Sequence, residues 1–124
     1  MKKPNLPVKI SINPPNAPDD LESLLAAVFW KEPEMAGPAA DFLSYLKEWQ
    51  MTESPYVASG WRPYCRKAGI TQSQYSNMLK RLKNAGMLEK TYNKSRGEHE
   101  LRLSNGFGEA LLSMSRVWKE YAEG

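Results

Sequence analysis

The chain has 124 residues, 41% hydrophobic and 25% charged, with a formal net charge of +3, which is the size and balance of one globular domain with a modest core. No apolar run nears the roughly 18 residues that a membrane helix needs, and the two N-terminal lysines precede no hydrophobic segment of a secretory signal. A single cysteine excludes an internal disulfide, and one cysteine with one histidine does not complete a protein zinc site, so a cytoplasmic protein without metal or cofactor is expected.

Residues 1–18 form a proline-rich arm containing Pro4, Pro7, Pro14, Pro15 and Pro18. Proline fixes φ and removes a backbone donor, so this arm is not expected to be helical. Val8, Ile10 and Ile12 alternate, which fits a short edge strand or an extended arm laid on a partner; otherwise the arm is disordered. Asp19 or Asp20 caps a first helix to about Lys31, with Leu21, Leu24, Leu25, Val28 and Phe29 on one face. Pro33 stops it. A second helix is expected from Pro38, a favoured first-turn residue, to about Met51. Its Phe42, Tyr45, Leu46 and Trp49 fall at helical spacing and belong to the core. Thr52 to Gly60, with Pro55, is expected to be a connecting loop.

Pro63 then opens a short helix through Ala68, and Gly69 closes it in the left-handed conformation that glycine accepts cheaply. Thr71 caps the next helix, and Gln74, three positions later, completes a capping box. That helix runs to about Ala85, where Gly86-Met87-Leu88 ends it and begins a strand. Strands near Met87 to Tyr92 and near His99 to Leu103 are joined by Asn93-Lys94-Ser95-Arg96-Gly97. Ser104 or Asn105 caps a last helix to about Ala122. Its Phe107, Leu111, Met114, Trp118 and Tyr121 recur at spacings of four, three, four and three. A short helix, a glycine turn, a capped helix and a basic hairpin in this order predict a mainly α protein with a small β-hairpin wing. This is a winged helix-turn-helix with flanking terminal helices, one domain over 19–124 with its nucleic-acid core at 61–103.

Charge is concentrated in that core. From Trp61 to Arg102 there are ten Lys/Arg against three Glu, and the remainder of the chain has seven against eleven acidic residues. A basic segment in an otherwise acidic chain is the footprint of a polyanion site. If Tyr75, Met78, Leu79 and Leu82 face inward, the helical period points Gln72, Ser73, Ser76, Asn77, Lys80 and Arg81 outward, with Thr71 at their head. Gln and Asn can bond adenine edges in two-point fashion, Arg does the same to guanine, and Ser and Lys reach phosphates. No acidic residue lies between Gly69 and Leu88 to repel a phosphate backbone. Lys94 and Arg96 beside Gly97 suit the electronegative minor groove. Glu98 and Glu100 are expected to face solvent or to pair across the ladder with Lys90 and Arg102.

Catalytic chemistry is not expected. No nucleophile motif surrounds His99, which fits a packing or surface position in a strand, and Gly106-Phe107-Gly108 is not a phosphate loop. Cys65 lies near Arg62, Arg66 and Lys67, which would suit a reactive thiol; its slot in the motif is instead a buried contact against the following helix. The seam Phe107, Leu111, Met114, Trp118 and Tyr121 is wider and more aromatic than a small core needs. It predicts a homodimer, as half-site recognition requires.

From Tyr64 to about Tyr121 the chain resembles the MarR-type winged-helix transcriptional regulators. The resemblance rests on Cys65 in a small-residue slot, Gly69-Ile70-Thr71, Met78-Leu79-Lys80-Arg81-Leu82 and Ala85-Gly86-Met87-Leu88. Leu101-Arg102-Leu103-Ser104, Gly108 and Leu111-Leu112 continue it. It implies a homodimer built by terminal helices, sequence-specific binding of double-stranded DNA as a repressor, and a small-molecule effector pocket whose residues the sequence does not mark. A winged-helix replication or partition factor of a plasmid or phage, and a winged helix used for protein contacts, are the other readings.

Overall fold

The computed structural model describes residues 7–52 and 54–124. Residues 1–6, including Pro4 of the proline-rich arm, and residue 53 lie outside the described residues.

Helix α1, Leu21–Val28, begins where the Asp20 carboxylate accepts the Ser23 amide at 2.7 Å. Hydrogen bonding to Ser23, from its side chain and then its amide, holds the Asp20 carboxyl below the ordinary carboxylate range. The helix stops short of Lys31 because Phe29 leaves helical geometry (φ −103°, ψ 39°) and is fully buried in the core. The described part of the arm lies along α1 of its own chain. The Lys9 amide donates to Ala27 O at 3.0 Å, Trp30 Nε1 donates to Pro7 O at 2.7 Å, and Lys9 Nζ sits 3.7 Å from the Trp30 ring centre. The described part of the arm forms no strand, and Pro14–Asn16 makes one 3-10 turn, which the expectation of a helix-free arm did not foresee.

A 3-10 turn, Pro33–Met35, runs straight into α2, Ala36–Gln50, so Pro38 falls inside the first turn and does not start the helix. Ala39, Phe42, Leu43 and Leu46 are buried, and Tyr45 and Trp49 are half-buried. The segment expected to be only a loop contains strand β1, Tyr56–Val57, and a 3-10 turn, Ala58–Gly60. Helix α3, Trp61–Ala68, ends at Gly69 with φ +72°. The Gly69 and Ile70 amides both return to Cys65 O, at 2.9 and 3.1 Å, which satisfies a carbonyl that the helix end would otherwise leave open. Helix α4, Gln72–Asn84, follows.

Gly86 (φ +81°) turns the chain out of α4, and a Cβ there would lie 2.8 Å from the Phe107 backbone nitrogen. Only glycine accepts both constraints. Strands β2, Leu88–Asn93, and β3, Glu98–Leu103, pair antiparallel from Leu88↔Leu103 to Asn93↔Glu98. Tyr56 pairs with Leu101, so the sheet has the order β1-β3-β2 and three strands, one more than the expected hairpin. Helix α5, Gly106–Glu123, closes the chain.

The core is centred on Phe42. Its ring makes edge-to-face contacts with Tyr56, Tyr64 and Tyr75 at centroid distances of 5.8, 5.0 and 5.6 Å, an arrangement that the aromatic quadrupole favours. It thereby joins α2 to β1, α3 and α4. Leu25, Leu46, Met78 and Leu82 fill the rest. The architecture is mainly helical with a small antiparallel sheet, in the order expected of a winged helix: α3 and α4 form the helix pair and β2–β3 the wing.

Candidate nucleic-acid interface

Two devices fix how α4 is presented. At its start, Thr71 Oγ1 accepts the Gln74 amide at 3.1 Å while Gln74 Oε1 accepts the Thr71 amide at 2.9 Å, closing the expected capping box. One turn on, Tyr75 is buried and shares a 2.9 Å hydroxyl hydrogen bond with Tyr56 of β1. A helix tied to a strand at one residue and packed through Met78 and Leu82 has little freedom to rotate. Burial pushes the Tyr56 and Tyr75 hydroxyls above the ordinary tyrosine range and the Tyr64 hydroxyl up to about 12.

That setting leaves Thr71, Gln72, Ser73, Ser76, Asn77 and Lys80 exposed, as the periodicity predicted. Arg81 is a correction. It is only 9% exposed, its Nη2 donates to the Val28 carbonyl at the end of α1, and its guanidinium lies 5.8 Å from the Phe29 ring centre. Its Nη1 has no hydrogen-bond partner among the described residues. Arg81 therefore belongs to the structure beneath α4 and not to the exposed face. Leu79, expected inward, is half-buried at the edge.

The wing turn is held by Asn93. Its side-chain oxygen accepts the Ser95 and Arg96 amides at 3.0 and 3.3 Å, its carbonyl accepts the Gly97 amide at 2.8 Å, and Gly97 takes φ +66°. Lys94 and Arg96 project exposed from this turn. Glu100 pairs with Arg102 as expected, but along its own strand and from a buried position. It is 5% exposed, accepts from Asn93 Nδ2 at 3.0 Å and faces Arg102 of its own strand at 3.6 Å, not a residue across the ladder. It stabilises the turn that carries the two wing cations. His99 is a surface residue whose ring lies 5.0 Å from that of Tyr92.

Cys65 occupies the buried slot anticipated for it, and burial pushes its thiol up, away from a reactive thiolate. Lys83 and Lys90 were missed as site residues. With Ser76 and Lys80 they line a cleft of about 270 Å³ between α4 and the sheet. The spacing Ser76, Lys80, Lys83 carried a signal for this; the position of Lys90 depends on how the sheet docks.

Helix α5 stands apart from this surface. None of its residues is buried. Phe107 is half-buried against the core, while Leu111, Met114, Trp118 and Tyr121 are exposed, Trp118 by 65% and Tyr121 by 79%. Among the described residues no helix is long and apolar enough to cross a membrane.

A family model described as an archaeal family matches residues 18–122. No curated protein and no solved structure matches the chain.

Proposed function

The chain belongs to this archaeal family, and for it we propose sequence-specific binding of double-stranded DNA by a homodimer acting as a transcriptional regulator of the repressor type. The observation that carries the reading is the exposed face of α4. A helix locked by a capping box and by Tyr75 displays Gln72, Ser73, Ser76, Asn77, Lys80 and Lys83 with no acidic residue among them. Amides of Gln72 and Asn77 have the donor–acceptor pairs that read adenine in the major groove. Lysines and serines supply phosphate contacts, and Lys94 and Arg96 on the wing reach the adjoining backbone or minor groove. A face built only for solubility usually mixes both signs of charge.

The homodimer rests on α5. An 18-residue helix in which no residue is fully buried and which exposes Leu111, Met114, Trp118 and Tyr121 along one seam has the surface of an unpaired partner helix. Half-sites one helical turn apart require such a two-fold partner. In this reading the protein resides in the cytoplasm, associated with the nucleoid through DNA, and resembles MarR-type regulators in its mode of binding.

The test is fluorescence anisotropy with a random duplex at low salt, repeated as salt is raised. The reading predicts binding that weakens steeply and linearly in a plot of log affinity against log salt. Absence of binding at low salt would contradict it.

A further inference from the structure

Ser76, Lys80 and Lys83 follow one another at intervals of four and three along α4, and all three are exposed. Residues at that spacing share one side of a helix. Lys90 stands on β2 opposite Leu101, two residues after the buried Leu88. Strand side chains alternate, so Lys90 lies on the sheet face that carries Leu88 toward the core and α4. The four residues line the 270 Å³ cleft together with Ala58, Leu79, Asn84 and Leu101. Glu89, the acidic neighbour of Lys90, lines a different groove with Arg102 on the other side of the sheet. Among the described residues no ion pair engages Lys80, Lys83 or Lys90. Three lysines and a serine therefore line one concave space with no carboxylate among its described lining residues.

We propose that this cleft is a phosphate site that holds one backbone phosphate of the bound duplex against the flank of α4. The proposal rests on the DNA-binding reading and deepens it by dividing the helix surface. Ser76, Lys83 and Lys90 grip the sugar–phosphate strand and Lys80 stands at the boundary. Asn77, further round the helix, faces the base edges. Lysine is suited to the first role because its flexible stem can lie over apolar Leu79 and Leu101 while the charge stays at the rim.

The test compares the wild-type protein with Lys83→Gln, Lys90→Gln and the double variant on a random duplex, with Lys119→Gln on α5 as control. The double variant is expected to lower the magnitude of the salt slope by about one unit per cleft, about two for the homodimer, and each single cleft substitution by part of that. Lys119→Gln should leave the slope unchanged, and preference for a cognate over a random site should survive in all the variants. Wild-type binding with an unchanged slope in the double variant overturns the cleft alone. An equal fall in slope for Lys119→Gln also overturns it, since any surface lysine would then serve. A wild-type protein that binds no duplex overturns the DNA reading and this proposal together.

Discussion

Arg81 donates to the Val28 carbonyl, one of the last acceptors of α1 and without an onward helical donor, and a cation there also complements the helix dipole. Arg81→Met, which keeps the stem and removes the donors, is expected to lower the unfolding free energy by about 1.5–3 kcal/mol in urea denaturation. It should leave base preference unchanged; intact stability with altered base preference would reverse the assignment. Asn77 is the opposite case, exposed in mid-helix. Asn77→Ala should cost on the order of 1–3 kcal/mol on a cognate site and little on random DNA, measured as paired binding isotherms. Equal losses on both duplexes would remove Asn77 from the readers. The buried tyrosines predict an alkaline limit. Tyr64 is raised to about 12 and Tyr75 is also raised, chiefly by burial, against an unfolded value of about 10. The folded state therefore prefers the neutral phenols. Their contribution is fully present below about pH 10 and is lost as pH climbs from there through the folded value. Unfolding free energy should fall across that window, and a flat profile would contradict the burial of these hydroxyls.

Local signals explain which elements were legible before the structure. Gly69, Thr71 with Gln74, and Asn93 through Gly97 each act within a few residues of themselves, and the left-handed cap, the capping box and the wing turn all formed where expected. Strand β1 escaped notice because two residues after Pro55 show no alternation; its existence depends on the distant partner Leu101. Arg81 and Glu100 were misplaced for the same reason. Each charged side chain is buried by a partner that periodicity does not reveal, the end of α1 for one and Asn93 for the other. On the exposed face of α4, Thr71, Gln72, Ser73, Ser76, Asn77 and Lys80 were legible and Lys83 was passed over, whereas Lys90 joins the cleft only through the docking of the sheet. Two predictions belong to this scale. Thr71→Ala should destabilise the protein by about 1 kcal/mol through loss of the cap, as read from the thermal midpoint. Arg96→Ala should weaken binding to every sequence and lower the salt slope by about one unit; a loss confined to one base position would make Arg96 a reader and not an anchor.

At the scale of the molecule, the aromatic core and the exposed terminal helix assign different tasks to the two apolar surfaces. Phe42 gathers Tyr56, Tyr64 and Tyr75 so that α2, α3, α4 and the sheet share one packed core. Helix α5 leaves that core with its seam uncovered. Trp118→Glu should therefore convert a dimer into folded monomers with weakened DNA binding, as followed by sedimentation. A wild-type protein that is already monomeric at micromolar concentration would refute the dimer. Two copies of α4 related by a two-fold axis would read the same sequence on opposite strands, with half-sites roughly 34–36 Å apart. Selection of bound sites from a random duplex library tests this most directly. The account predicts enrichment of an inverted repeat with half-sites one helical turn apart, lost in the Asn77→Ala variant. Recovery of sequences no different from the starting library would contradict it.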